Sequence, residues 1–203
     1  MTKALVTGAT RAPGRAIATT LAKEGWEVHA LGRDRIALDD MRAGHGIVPL
    51  AMDLTDRDYV RLTVEGMEPD VVVHAALRWP QETRFLGLAE ADIDMALEVN
   101  LSATLHVTRA VLPAMTERGH GAFVMLVPDE REAKSALERT AAGAIDGFAR
   151  ALADEVRGSG VFVHALALGR PPFHRLGPQV LSLLSASGFQ SHFIERQEHG
   201  HGP

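Results

Sequence analysis

Residues 3–24, KALVTGATRAPGRAIATTLAKE, are the stretch that decides the fold. Residues 4–6 form a short apolar run, which is typical of a strand buried on both faces. From Ile17 onward, apolar and small residues recur at helical spacing. The glycine-containing turn at residues 7–14 therefore joins a buried strand directly to a helix.

This turn, TGATRAPG, is placed where a phosphate can bind. The start of a helix presents backbone N–H groups without intrahelical partners, together with the positive end of the helix dipole. Gly8 lets the chain turn sharply, and Gly14 lets the helix approach the strand or a pyrophosphate without a Cβ between them. The order of strand, turn and helix predicts a nucleotide site; an ordinary βα turn is the alternative that the glycine spacing leaves open.

Composition limits the classes of function. The chain has 203 residues, of which 46% are hydrophobic and 23% charged, enough for one substantial core. A formal charge of -5 argues against a nucleic-acid-binding protein, which needs a basic surface. The absence of cysteine excludes disulfides, thiolate metal sites and a cysteine nucleophile. Without a signal peptide or a bilayer-spanning apolar run, we expect a cytoplasmic protein with no membrane partner.

Strands and helices alternate along the sequence. Strands are predicted at residues 26–31, 47–52, 70–75, 121–127 and 161–168, and helices at residues 36–42, 56–66, 88–115 and 133–157. Alternation without a linker requires parallel strands joined by right-handed crossovers, with helices on both faces. We therefore predict an α/β fold, a Rossmann-like doubly wound parallel sheet, in a single domain over residues 1–203.

The turn after the first strand resembles the T-G-x-x-x-G-x-G turn of the short-chain dehydrogenase/reductase family, with Ala12 in place of the usual middle glycine. Residues 97–115, LEVNLSATLHVTRAVLPAM, are also similar to that family, and the resemblance covers nearly the whole chain. It implies a nicotinamide dinucleotide bound at the turn. The residues that it implies around the cofactor phosphates are Gly8, Thr10, Arg11, Ala12, Pro13 and Gly14.

Two arginines indicate which dinucleotide to expect. Gly32 and Arg33 follow the second strand, where dinucleotide folds meet the adenosine ribose. An acidic residue there favours NAD, whereas an arginine suits a 2′-phosphate. With Arg11 in the turn on the same side, the chain resembles NADP-preferring family members, so we expect NADP in preference to NAD. Two solvated surface arginines beside Asp34 are the alternative.

The resemblance implies further cofactor contacts. Asp53 and Leu54 follow the third strand, where the family's acid accepts a hydrogen bond from the adenine amino group. Capping of the next helix by Asp53 or Thr55 is compatible with that role. Asn100 matches the asparagine that family members use to hold a helix distortion and a water near the active site. A polar residue that caps or kinks a core helix is a structural alternative for Asn100.

The turn after the fourth strand departs from the family. The family has an N-A-G turn under the cofactor, and this chain has His74, Ala75 and Ala76 there. Ala75 therefore occupies a position that corresponds to the family's turn, but the side chains of the turn differ from those of the family. We expect His74 to be a packed strand-end residue. Arg78 and Trp79 follow at the carboxyl end of the sheet and are candidates for the pocket lining.

The redox residues of the family have no match in this chain. The family uses a tyrosine, a lysine four residues later on the same helix face, and a serine after the fifth strand. Aligning GAIDGFARALADEV at residues 143–156 with the family's helix places Glu138 at the tyrosine position, Ala142 at the lysine position and Pro128 at or near the serine position. Tyrosine has a pKa of about 10 and works near neutrality because an ammonium stabilises the phenolate. A conventional carbonyl reductase is therefore not expected.

Glu138 and Ser135 are substitute catalytic candidates, together with Asn100. A carboxyl in a dry pocket can have its pKa raised and serve as an acid or a base. Ser135 lies three residues earlier on the same helix face and can hydrogen-bond a substrate. The alternative is a solvated helix start at residues 129–138, because acidic residues favour helix N-termini.

The end of the chain resembles a shortened form of the family's C-terminal part. Residues 170–187 are predicted to be a short substrate lid. Residues 188–195 resemble the family's last strand, which brings the expected sheet to about seven strands. His199 and His201 lie in a glycine-rich tail without acidic partners, so no metal site is predicted.

Three functions are compatible with these residues. The first is a divergent enzyme acting on a small molecule, either a non-redox lyase, isomerase or cyclase or a reductase with a substitute proton donor. The second is an NADP(H)-sensing or regulatory protein, whose cofactor is structural, non-redox or weakly bound. The third is a non-catalytic subunit paired with an active relative. Family dimers use the fourth and fifth helices, here residues 100–115 and 133–157, so a homodimer or homotetramer is expected, with a heteromer as the alternative.

Overall fold

The structure is a computed structural model that describes residues 1–129, 131–169 and 171–189. In these residues, six parallel strands form one sheet in the order β3-β2-β1-β4-β5-β6. The strands are β1 (Lys3–Thr7), β2 (Glu27–Gly32), β3 (Val48–Ala51), β4 (Val71–His74), β5 (Gly121–Pro128) and β6 (Val161–Leu168). The order changes direction between β1 and β4, which is the switch point of a doubly wound sheet. The predicted fold class is confirmed.

Helices cover both faces of the sheet. They are α1 (Gly14–Lys23), α2 (Arg35–His45), α3 (Arg57–Met67), α4 (Glu90–Leu97), α5 (Ala103–Arg118), α6 (Ala136–Glu155) and α7 (Leu176–Ala186). One apolar core lies between the sheet and α1, α2 and α7, and a second lies between the sheet and α3, α5 and α6. Among the helices of the described residues, none is both long and apolar enough to cross a membrane.

Strand β1 explains why the opening residues decide the fold. It lies inside the sheet, paired with β2 on one side and β4 on the other. Ala4 and Val6 are buried in the core under α1, and Leu5 is buried in the core on the opposite face. Because both faces are covered, every residue of the run must be apolar, as the sequence shows.

The predicted helix at residues 88–115 is two helices joined by a π-helical turn, Glu98–Ser102. Asn100 lies within this turn, and its side-chain amide donates a hydrogen bond to the Ala96 carbonyl oxygen at 2.7 Å. A side-chain donor therefore takes a carbonyl that a regular helix uses for its own backbone, and the widened turn accommodates it. The helix distortion expected at Asn100 is present.

Helix α7 occupies most of the predicted lid, and it packs against α1. Its residues Leu176, Val180 and Leu184 recur at four-residue intervals and are buried in the core under α1. Gly177 faces Thr20 so closely that a Cβ there has no room. The apolar face of residues 176–186 therefore completes a core, and the assignment of residues 170–187 as a short substrate lid stays a prediction.

Some predicted features lie outside the described residues. These are Arg170 at the start of the predicted lid, residues 190–195 of the predicted last strand, and His199 and His201 in the tail.

The α7 packing is tested by Leu184→Ala. The Leu184 side chain is 2% exposed, so truncation removes buried apolar surface and leaves a cavity. We expect the free energy of unfolding to fall by about 2–5 kcal/mol, measured by urea denaturation. Ser182→Ala, on the exposed face of the same helix, is the matched control and is expected to leave that free energy almost unchanged. Equal stability of the two variants would contradict a core role for α7.

Candidate functional site

A cleft of about 630 Å³ opens where β1, β2, β3 and β4 end. All of the predicted cofactor residues except Gly14 and Asn100 line it, namely Gly8, Thr10, Arg11, Ala12, Pro13, Arg33, Asp53, Leu54 and Ala75. They come from four different loops, and the parallel strands bring those loops to one edge of the sheet. The structure thus places the predicted residues around one cavity; their contacts with a cofactor stay predictions.

The glycine turn is shaped by close backbone approaches. Gly8 has a φ of +65, and a Cβ on it would lie 2.5 Å from the Cα of Ala76. A Cβ on Gly14 would lie 2.6 Å from the Gly8 carbonyl oxygen. Gly14 therefore supports the turn from behind and does not line the cleft. Helix α1 starts there after Pro13, with no side-chain cap. The N–H groups of Arg15 and Ala16 donate to the carbonyl oxygens of Arg11 and Pro13 within the turn, at 2.9 and 3.1 Å, so the helix start offers the positive end of its dipole to the cleft.

Arg33 and Asp53 face each other across the rim of the cleft. The Arg33 Nη1 atom lies 3.5 Å from the Asp53 Oδ2 atom, and both side chains are substantially exposed. Asp34 is engaged elsewhere, since its carboxylate accepts the Ala37 N–H at 3.0 Å and caps α2. The carboxylate that faces the Arg33 guanidinium is therefore that of Asp53 and not that of Asp34.

Asp53 is held as a carboxylate by its own loop. Burial raises the pKa of Asp53, whereas hydrogen bonds from the Thr55 N–H at 3.0 Å and the Thr55 hydroxyl at 2.9 Å lower it. The Arg33 guanidinium lowers the pKa further. The net pKa lies below the ordinary value, so this carboxylate is a hydrogen-bond acceptor at neutral pH. An acceptor at this position suits an exocyclic amino group.

Asn100 lies behind the cleft wall and acts through its neighbours. It is buried, its Oδ1 atom accepts the Arg78 N–H at 2.8 Å, and its Nδ2 atom donates to the Arg78 carbonyl oxygen at 2.7 Å. These two bonds join the π-helical turn to the loop after β4. Val99, in the same turn, and Arg78 both line the cleft.

Several apolar residues line the cleft without having been predicted from the sequence. They are Leu31, Met52, Ala76, Leu77 and Val99. Leu31 is the next-to-last residue of β2, and Met52, Ala76 and Leu77 follow a strand within three positions, so strand ends were the signal that could have found these four. Val99 reaches the cleft because of the π-helical turn, which hydrophobic periodicity does not reveal. Trp79, the other candidate for the lining, is not among the lining residues.

Ser135 and Glu138 begin α6 and cap it. The Ser135 hydroxyl oxygen accepts the Glu138 N–H at 3.1 Å, and the Glu138 Oε2 atom accepts the Lys134 N–H at 2.6 Å. This exchange resembles a capping box, in which a serine and a glutamate satisfy the free N–H groups of a helix start. Neither residue is among those that line the cleft. The geometry therefore favours the helix-start alternative for this pair.

A buried hydrogen-bond group lies beneath the cleft where β1 and β4 end. The Thr7 hydroxyl oxygen accepts the Ala75 N–H at 3.2 Å and lies 3.1 Å from the His74 Nδ1 atom. The Thr7 hydroxyl hydrogen can be donated to Nδ1 in the His74 tautomer that carries its proton on Nε2. Burial lowers the pKa of His74 to about 4, and an interaction with the Val99 backbone offsets only part of this effect. His74 is therefore a neutral, packed strand-end residue at pH 7.

Metal binding has no support in the described part of the chain. Within residues 1–129, 131–169 and 171–189, no three histidine, aspartate or glutamate side chains are grouped closely enough to hold a metal ion.

Comparison with known proteins gives consistent matches. A family model described as short chain dehydrogenase matches residues 2–170. The short-chain type dehydrogenase/reductase y4eK of Sinorhizobium fredii is 42% identical over 118 residues, which are 58% of this chain and 48% of that protein. The 3-oxoacyl-acyl-carrier-protein reductase of Escherichia coli is 29% identical over 177 residues, which are 82% of this chain and 72% of that protein. The matched region thus spans about half the length of the first relative.

A solved structure supports the fold. The short-chain dehydrogenase from Sphingobium yanoikuyae in complex with NADPH superposes with a TM-score of 0.82, covering 92% of this chain and 85% of that chain. Its sequence identity to this chain is 20%, so the likeness is one of fold.

The buried imidazole predicts a pH dependence of stability. An unfolded-state histidine protonates near pH 6.5, whereas folded His74 stays neutral down to about pH 4, so the unfolded state binds more protons between these values. This group leaves the free energy of unfolding unchanged above that interval. As the pH falls through it, we expect a loss of roughly 3 kcal/mol, measured by urea denaturation at successive pH values.

His74→Asn removes the titrating group and is expected to flatten that pH dependence. His106→Asn, at an exposed position on α5, is the matched control and should keep the wild-type profile. A His74→Asn profile as steep as the wild type would assign the acid sensitivity to other groups.

Proposed function

The chain belongs to the short-chain dehydrogenase family. On that premise we propose that its cleft binds NADP(H) and that the protein is an enzyme acting on a small molecule. The observation that carries the proposal is the glycine turn. A side chain at Gly8 or Gly14 has no room, and an uncapped helix start lies beside the cavity. The positive end of the α1 dipole, beside a backbone that no Cβ obstructs, suits a pyrophosphate. The residues present therefore fit the dinucleotide.

The preference for the 2′-phosphorylated cofactor rests on the charges at the cleft rim. Arg11 and Arg33 line the cleft, and the carboxylate of Asp34 is occupied in capping α2. A guanidinium binds a phosphate through charge-assisted hydrogen bonds, whereas NAD offers only a ribose hydroxyl at the same place. Asp53, held as an acceptor, is then the proposed partner of the adenine amino group.

The proposed chemistry is not conventional carbonyl reduction. Bound NADPH supplies a hydride, and reduction of a carbonyl also needs a proton donor. By the alignment with the family helix, Glu138 and the buried Ala142 stand where the family has its tyrosine and lysine. General acid–base help is worth about 10²–10⁴-fold in rate. We therefore propose either a non-redox lyase, isomerase or cyclase reaction or a reduction with a substitute donor, for which Glu138 is the candidate.

A non-catalytic NADP(H)-binding protein is the second candidate function. The observation that favours it is the capping role of Ser135 and Glu138, which accounts for both side chains without a substrate. In this case the chain senses the cofactor or pairs with an active relative.

Assembly and location are part of the proposal. The outer face of α6 exposes Gly143, Gly147 and Ala151, and small residues allow a second helix to approach closely. We propose a homodimer or homotetramer formed through α5 and α6, located in the cytoplasm, with a heteromer as the alternative.

Cofactor preference is tested by titrating the protein with NADPH and NADH in a calorimeter. We expect NADPH to bind more tightly. Arg33→Gln should weaken NADPH binding by about tenfold or more, because it removes a charge-assisted contact with phosphate, and leave NADH binding nearly unchanged. Arg35→Gln, an exposed arginine that does not line the cleft, is the matched control. Equal affinity for the two cofactors, or no binding of either, would contradict the proposal.

The role of Glu138 is tested by Glu138→Gln. The amide oxygen can still accept the Lys134 N–H, so we expect the free energy of unfolding to stay nearly unchanged. An amide cannot exchange a proton as a carboxyl does, so we expect NADPH consumption with a panel of small aldehydes, ketones and 2-oxo acids to be abolished. Unchanged activity would rule out Glu138 as the acid–base group. A wild-type protein that binds NADPH but turns over nothing would favour the binding protein.

A further inference from the structure

One arginine of the cleft has no assigned ligand. Arg78 lines the cleft in the loop after β4, whereas Arg11 and Arg33 line it beside β1 and β2. Arg33 faces Asp53. Among the described residues, the Arg78 guanidinium has neither a hydrogen bond nor an ion pair with another side chain, and the residue is exposed. Its positive charge is therefore uncompensated within that part of the protein.

The backbone that carries Arg78 is held firmly in place. The buried amide of Asn100 accepts the Arg78 N–H and donates to the Arg78 carbonyl oxygen, so both backbone polar groups of one residue are bonded to one side chain. A binding group on a fixed backbone loses less conformational freedom when it meets its ligand than a group on a mobile loop does. Asn100 is thus a positioning residue for Arg78.

The surroundings of Arg78 define the chemistry of a ligand. Leu77, Ala76 and Val99 also line the cleft and are apolar; the first two precede Arg78 in the same loop, and Val99 precedes Asn100, which bonds to the Arg78 backbone. A guanidinium beside apolar walls suits a small molecule with an apolar body and a planar oxyanion, because it can bind both oxygens of a carboxylate at once.

The order of the strands separates this group from the proposed phosphate contacts. Along the carboxyl edge of the sheet come β3 with Asp53, β2 with Arg33, β1 with the glycine turn, and then β4 with Arg78. If adenosine lies at β2 and β3 and the pyrophosphate at β1, then Arg78 lies beyond the pyrophosphate, on the side where the second ligand must bind.

We propose that Arg78 binds the carboxylate of a small organic acid, which is the second ligand of the cleft. The position of the acid relative to the cofactor rests on the proposed function. The pyrophosphate of the cofactor is the other source of an oxyanion, and the experiment separates the two.

The test uses pyruvate and its neutral analogue methyl pyruvate, with binding followed by ligand-observed saturation-transfer NMR in the absence and presence of NADPH. We expect the wild type to bind pyruvate more tightly than methyl pyruvate. Arg78→Gln should weaken pyruvate binding by about tenfold or more, and Arg78→Lys should recover part of the loss. Arg109→Gln, which removes an exposed charge from α5 outside the cleft, is the matched control and should change nothing.

A second titration measures NADPH affinity in the same variants. We expect Arg78→Gln to leave the NADPH affinity within about twofold of the wild type, because Arg78 lies beyond the proposed pyrophosphate position. A loss of NADPH affinity comparable with the loss of pyruvate affinity would assign Arg78 to the cofactor and overturn the inference. Absence of pyruvate binding to the wild type, or equal binding to Arg78→Gln, would also overturn it. If Arg78 controls pyruvate binding in a protein that does not bind NADPH, the inference stands and the proposed function fails.

Discussion

The close approach of Gly8 to Ala76 is the contact on which the rest of the site depends. It brings the turn after β1 against the loop after β4, at the point where the strand order changes direction. The left-handed backbone at Gly8 and the lack of space for a Cβ both require glycine. Beneath this contact, Thr7 bonds to Ala75 and His74, which fixes the ends of the two strands. Widening of this junction would move the loop that carries the guanidinium of Arg78.

A second set of contacts joins the far wall of the cleft to the same junction. Asn100 bonds to the loop after β4 from one side of the π-helical turn. Glu98, the first residue of the π-helical turn, accepts two hydrogen bonds from Arg57 at the start of α3, at 3.1 and 2.8 Å. The hydrogen bond from Arg57 lowers the pKa of Glu98 below its ordinary value. An exposed ion pair is worth about 0–1 kcal/mol, whereas leaving a buried amide unpaired costs about 1–3 kcal/mol, so Asn100 makes the larger contribution to this wall.

The sequence was sufficient for the fold because its decisive features are local. The buried run at residues 4–6, the glycine turn and the helical spacing after it each follow from a short stretch. The packing partner of α7 needed the structure, because it depends on contacts distant in sequence. The distortion at Asn100 and the close approach at Gly14 were expected, and the structure supplied their partners: the backbone of Ala96 and Arg78 for Asn100, and the Gly8 carbonyl oxygen for Gly14. The capping of α6 was visible in advance, since Ser135 and Glu138 have the S-x-x-E spacing of a capping box.

The charge within the cleft differs in sign from the charge of the whole chain. The chain carries a formal charge of -5, yet the cleft is lined by three arginines, Arg11, Arg33 and Arg78, and two aspartates, Asp34 and Asp53, which gives 3 − 2 = +1. Both carboxylates are occupied, one by capping α2 and one by Thr55 and Arg33. At physiological salt, interactions fade beyond about 8 Å, so a ligand inside the cleft responds to these nearby groups more than to the distant surface. A cleft of this charge is more favourable to an anion than the net charge of the chain suggests, and two anionic ligands bound side by side would each need a separate arginine.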